Sequence, residues 1–128
     1  MPSTCTDTDQ AGYATALRAA PGAVRLPGGI PISTCLERVR TDAELQNLGS
    51  VVHVVAERLA TGARDGDVAA ARELGYLNAA VAVGAAASNG ISAELARRVS
   101  VTGSGLADAP PAVARALADG QAAGATHR

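Results

Sequence analysis

Residues 41–88, TDAELQNLGSVVHVVAERLATGARDGDVAAARELGYLNAAVAVGAAAS, decide the predicted fold of this 128-residue chain. Thr41 and Glu44 have the spacing of a capping box, in which each side chain accepts a hydrogen bond from the other residue's backbone N–H. A helix is therefore predicted from Asp42 to about Ala60. Its apolar face repeats in heptad register at Leu45, Leu48, Val52, Val55 and Leu59.

A short connection joins this helix to a second one. Gly62 suits a helix C-cap, and Asp65 or Asp67 can cap a helix that runs to about Ser88. Because the link is short, the two helices are predicted to form an antiparallel hairpin at the centre of the fold. Small residues on the second helix should let a neighbouring helix approach closely, namely Gly75, Ala79, Ala80, Gly84 and Ser88.

Shorter helices are predicted on both sides of the hairpin. In chain order they cover residues 9–20, 35–40, 93–101 and 112–119. The second of them begins at another capping box, formed by Thr34 and Glu37. Residues 1–8 are predicted to be a tether and residues 120–128 a frayed tail. The predicted fold class is all-α, a compact bundle of four to five helices around the central antiparallel hairpin, in a single domain that spans residues 1–128.

The composition is alanine-rich and almost free of aromatic residues. Thirty residues are Ala, Phe and Trp are absent, and the bulk of the core must come from Leu and Val. The net charge of −1 gives no electrostatic argument for nucleic acid or anionic membrane. The uncharged run from Leu74 to Ala93 has the length of a membrane span, but its Gly, Asn and Ser residues favour a buried helix and a turn. Neither a nucleic-acid partner nor a membrane span is predicted.

The two cysteines, Cys5 and Cys35, are predicted to form a structural disulfide that ties the N-terminal segment to the bundle. Such a bond places the chain in an oxidising compartment, so we expect an exported protein that is periplasmic, cell-envelope or extracellular. Because Met1–Gln10 is polar, export would require that a leader has been removed. The alternatives are free thiols in the cytoplasm, a reactive thiol at Cys35 and lipid attachment at Cys5.

His53 and Glu57 are the one His–carboxylate pair at helical spacing. They could reach one metal ion, or act together as a base and its orienting group. They could equally be a solvated pair on a polar helix face. A zinc site needs four ligands, or three and a water, and His127 is the one other histidine. We therefore predict no catalytic residues, no cofactor and no metal site, with His53 and Glu57 as the remaining candidates.

Three functional hypotheses follow from these residues. The leading one is a non-enzymatic exported or cell-envelope module that binds a protein partner, itself or a small apolar ligand. The broad apolar faces of the two central helices predict a homodimer under this hypothesis. The second is a small metal-binding or enzymatic helical protein that uses His53 and Glu57. The third is a cytosolic helical regulatory domain, which requires that both thiols are free.

Overall fold

The structure, a computed structural model, describes residues 1–106 and 108–127. This part of the chain contains seven α-helices: α1 (Thr4–Asp7), α2 (Gln10–Leu17), α3 (Ile32–Glu37), α4 (Asp42–Arg64), α5 (Val68–Ala86), α6 (Ala93–Ser104) and α7 (Pro111–Thr126). Within it, β-type pairing is confined to one isolated antiparallel bridge between Leu26 and Ile30. The all-α class is confirmed. None of the described helices has both the length and the apolar character that a membrane crossing needs.

The predicted start of α4 is confirmed. The Glu44 backbone N–H donates to Thr41 Oγ1 at 3.1 Å, and the Thr41 backbone N–H donates to Glu44 Oε1 at 3.2 Å. The same carboxylate accepts from the Arg40 backbone N–H, and this bond is the main reason that the pKa of Glu44 lies below its ordinary value. Apolar residues of the heptad face are buried, including Leu48, Val52 and Val55.

The hairpin between α4 and α5 is also confirmed, with a turn that lies later than predicted. Helix α4 continues through Gly62 to Arg64. The positive-φ residue of the turn is Gly66, at φ 94°, and Asp67 caps α5 by accepting from the Ala70 backbone N–H at 3.1 Å. Glycine suits position 66 because it adopts positive φ without steric strain.

Helix α5 is the centre of the bundle and contacts α2, α3, α4, α6 and α7. It is buried along most of its length, and its fully or almost fully buried residues include Ala71, Leu74, Tyr76, Leu77, Ala80 and Val81. The buried side chains of the described residues form one cluster to which all seven helices contribute. A helix with a buried apolar face this broad needs several neighbours, which explains the arrangement around α5.

The contact between α5 and α7 is the most extensive in the bundle. Glycine residues allow the two helix backbones to come close. A β-carbon on Gly120 would collide with the backbone carbonyl of Arg72, and one on Gly124 with that of Tyr76. From the other side, a β-carbon on Gly75 would meet the backbone of Leu117. The two helix backbones therefore touch without side chains between them, as the small residues of α5 predicted.

The prediction of a frayed tail at residues 120–128 is wrong for the part that the structure describes. Helix α7 does not end at Asp119 but continues to Thr126. The reason is tertiary: Ala116, Gly120 and Gly124 recur every four residues, so they form one smooth face that packs on α5. Arg128 lies outside the described residues.

Three other helices differ from prediction in their boundaries, and the first of them, α2, ends at Leu17 and not at residue 20. Helix α3 begins at Ile32, after Pro31, and Thr34 makes no cap hydrogen bond at its start. It is placed by packing, because Gly84 of α5 lets the Ser33 backbone of α3 lie directly against it. Helix α6 runs to Ser104, three residues further than predicted, since its buried face continues to Thr102.

The N-terminal segment is held by the disulfide and by the two tyrosines. Cys5 and Cys35 form the predicted bond, with Sγ atoms 2.01 Å apart, and both residues are fully buried. Tyr13 Oη donates to the Cys5 carbonyl at 2.7 Å, and burial raises the pKa of its phenol. Tyr76 Oη accepts from the Val24 backbone N–H at 2.9 Å. Residues 1–8 are thus not a simple tether, since they include α1 and a buried residue.

We predict that Gly120→Ala destabilises the protein by at least about 2 kcal/mol, because a β-carbon there meets backbone atoms that cannot rotate away. This exceeds the gain of about 1 kcal/mol that alanine brings to a helix. The control is Gly105→Ala, where φ is −70° and, apart from the adjacent residues, no described residue has an atom within 4 Å of the added carbon. Chemical unfolding should show the control unchanged or slightly more stable. Equal stability of both variants and the wild type would contradict the close α5–α7 contact.

We predict that reduction of the disulfide lowers the free energy of unfolding by about 3–4 kcal/mol, because the bond closes a loop between residues separated by 30 positions. The measurement is guanidinium unfolding of the oxidised and reduced protein. The control is the double variant Cys5→Ala/Cys35→Ala, whose unfolding curve should not respond to the reductant. Coincident curves for oxidised and reduced wild type would rule out a stabilising bond.

Candidate functional site

The two sequence candidates for chemistry lie together on α4. His53 Nε2 is 3.9 Å from Glu57 Oε1, and each side chain is 52% exposed. An exposed pair at this distance is weakly coupled. Within residues 1–106 and 108–127, no group of three or more His, Cys, Asp or Glu side chains converges on one point. The structure thus brings His53 and Glu57 together but gives them no third ligand among the described residues.

A groove runs between α4 and α6, with His53 at its middle. We call it the α4–α6 groove and divide it into two halves. The arginine half, of about 490 Å³, is lined by His53, Glu57, Arg64, Arg97, Arg98, Val101, Thr102, Ser104 and Gly105. The glutamate half, of about 500 Å³, is lined by Leu45, Gln46, Gly49, Ser50, His53, Glu94, Leu95 and Arg98. His53 and Arg98 line both halves, so the two spaces adjoin at these side chains.

The groove has an apolar floor where the two helices meet. Gly49 of α4 faces Leu95 of α6, and a β-carbon on Gly49 would lie 3.6 Å from Leu95 Cδ1. Leu95 is buried and Leu45 is partly buried, and both line the glutamate half. The floor therefore belongs to the hydrophobic core, while the charged side chains stand along its rim.

Glu94 binds Arg97 and Arg98 at the rim of the groove on α6. Its carboxylate accepts hydrogen bonds from Arg97 Nη2 at 2.6 Å, from Arg97 Nε at 3.0 Å and from Arg98 Nε at 3.3 Å. The hydrogen bonds from Arg97 are the main reason that the pKa of Glu94 lies below its ordinary value. All three side chains are more than half exposed. The pairing of charges on α6 thus positions two guanidinium groups at the groove.

Val101 is the most exposed large apolar side chain of the described residues. It lines the arginine half and is 57% exposed, whereas Val54 and Val68 are each 37% exposed. Single exposed valines are ordinary on protein surfaces. Val101 differs in position, because it stands in a groove beside three arginines.

Two other clefts offer fewer groups suited to binding or catalysis. One of about 520 Å³ lies between α3 and the end of α5, and Glu37 is its one charged lining residue. The other contains Asn78, whose Oδ1 is buried without a hydrogen-bond partner in the described residues. The serine hydroxyls that line this second cleft, those of Ser100 and Ser104, donate to carbonyls of their own helix. Neither cleft gathers a set of converging polar groups.

Sequence reasoning found His53 and Glu57 but missed their neighbours across the groove. Glu94, Arg97, Arg98 and Val101 follow i, i+3, i+4, i+7 spacing, which places them on one helix face. This signal was present in the sequence. Which helix faces it could not be read, because the pairing of α6 with α4 depends on tertiary packing.

Comparison with known proteins assigns no family to the chain. No protein-family model matches it, and neither the curated proteins nor the solved structures contain a match. The function must therefore be inferred from the residues and their geometry.

We predict that His53→Ala changes the free energy of unfolding by less than about 0.5 kcal/mol, since the His53–Glu57 pair is half exposed. Added zinc should shift the unfolding midpoint of the wild type and the variant equally. The measurement is urea unfolding of both proteins with and without zinc. Stabilisation by zinc that is present in the wild type and lost in the variant would establish a metal site at His53.

Proposed function

We propose that the chain is a non-enzymatic, exported helical module that binds a segment of a partner protein in the α4–α6 groove. The observation that carries the proposal is the make-up of this groove. It combines an apolar floor, an exposed Val101 and charged side chains of both signs along its rim. Protein interfaces combine the same features, an apolar centre and a polar, partly hydrated rim.

The buried disulfide supports the exported part of the proposal. Disulfides persist in oxidising compartments and are rare in reducing ones. Cys5 and Cys35 are each fully buried. Burial shields the bond from thiol exchange, which suits a structural role better than a redox or lipid-attachment role for either cysteine.

A partner segment fits the groove better than a small apolar ligand or a second copy of the chain. Pockets for apolar ligands enclose them and are lined mainly by apolar side chains, whereas this groove is open and charged. Obligate dimers bury wide apolar patches. The three exposed valines of the described residues lie on three different helices. These side chains therefore do not form the wide apolar patch from which a homodimer was predicted. The homodimer itself stays a prediction.

The metal-binding or enzymatic alternative would use the same groove, since His53 and Glu57 line it. The pair is 3.9 Å apart and half exposed. At this distance Glu57 makes no hydrogen bond that would orient His53 as a base, and a metal needs further ligands. The geometry therefore favours a binding role for these side chains over a chemical one. The cytosolic regulatory domain would require free thiols, and no described cysteine is free.

The experiment that tests the proposal is a selection of phage-displayed random peptides on the oxidised protein. Peptides that occupy the groove should bind Val101→Glu at least about tenfold more weakly, because a charge replaces the apolar contact in the groove. The matched control is Val68→Glu, an exposed valine outside the groove, which should bind like the wild type. Circular dichroism would confirm that both variants fold. A selection that yields no peptide able to distinguish the two variants would refute groove binding.

A further inference from the structure

The arginine half of the α4–α6 groove has an excess of positive charge. Arg64, Arg97 and Arg98 line it, against one carboxylate, that of Glu57. The chain as a whole has a net charge of −1. The charge of this half is therefore opposite in sign to the net charge of the chain. A local positive charge favours an anionic ligand.

Glu94 does not cancel this excess. One carboxylate is shared by the guanidinium groups of Arg97 and Arg98, so a positive charge is left over. Arg64 donates to the neutral Thr61 hydroxyl at 3.4 Å and forms no ion pair within the described part of the chain. Guanidinium groups bind carboxylates through two parallel N–H bonds, so the rim is suited to acidic side chains.

Val101 supplies an apolar contact in the same half. It is 57% exposed, and the next residue, Thr102, is buried and lines the same half. We propose that the occupant of the groove is an acidic segment of a partner protein, whose carboxylates bind the arginine rim and whose aliphatic side chain covers Val101. This inference rests on the proposed function, since it names the chemistry of the segment bound there.

A continuous polyanion fits the groove less well than a short acidic segment. Glu57 and Glu94 stand on opposite walls, on α4 and α6, and would repel the evenly spaced phosphates of a nucleic acid. Among the described residues that line the groove there is no Phe, Tyr or Trp, so His53 is the one ring on which a base could stack. A peptide can place its carboxylates at the arginines and neutral residues opposite the glutamates.

The test uses the groove-dependent peptides from the selection. Their sequences should be enriched in Asp and Glu over the unselected library and should contain an aliphatic residue. Arg64→Glu should weaken their binding by about tenfold, because a charge-assisted hydrogen bond is replaced by repulsion. The control is Arg115→Glu, an exposed position on α7, which should stay within about twofold of the wild type.

Groove-dependent peptides that are neutral or basic would overturn the inference while leaving the proposed function intact. Acidic peptides whose binding does not respond to Arg64→Glu would overturn it too. Tighter, Arg64-dependent binding of single-stranded DNA or of anionic lipid vesicles would assign the groove to a different class of partner. If the proposed function itself is wrong, the result is different: no selected peptide will depend on Val101 for binding.

Discussion

The backbone contact between α5 and α7 is the constraint on which the rest of the structure depends. Dense cores usually rely on large side chains, but this chain has no Phe or Trp and 30 alanines. Gly75, Gly120 and Gly124 bring the two backbones together instead, so packing density comes from helix proximity. Because α5 also contacts α3, α4 and α6, the positions of these helices are set by their contacts with it.

Two other parts of the bundle are held differently. Residues 1–8 have few apolar side chains, and they are held by the Cys5–Cys35 bond and by the hydrogen bond from Tyr13 to the Cys5 carbonyl. The seam between α4 and α6 is close at Gly49 and Leu95, and its rim consists of long charged side chains. Such side chains fill the surface incompletely, which leaves the groove that we propose as the binding surface.

Features that depend on neighbours in sequence were predictable, and features that depend on tertiary contact were not. The capping box at Thr41, the α4–α5 hairpin and the disulfide follow from local spacing or from cysteine number. The length of α7 was underpredicted because Gly120 and Gly124 are poor helix formers in isolation. Their recurrence with Ala116 indicates a packing face only when the partner helix is known. The candidate site was half predicted for the same reason, since His53 and Glu57 lie on α4 and Glu94, Arg97 and Arg98 lie on α6.

Hydrogen exchange of the oxidised protein, followed by mass spectrometry, tests the central claim most directly. If the α5–α7 contact is the foundation of the fold, amides of both helices should exchange last, including those of residues 116–124 near the chain end. Exchange of α4 and α6 amides along the groove should be faster. Rapid exchange in residues 116–124, at the rate of an unprotected terminus, would contradict the account.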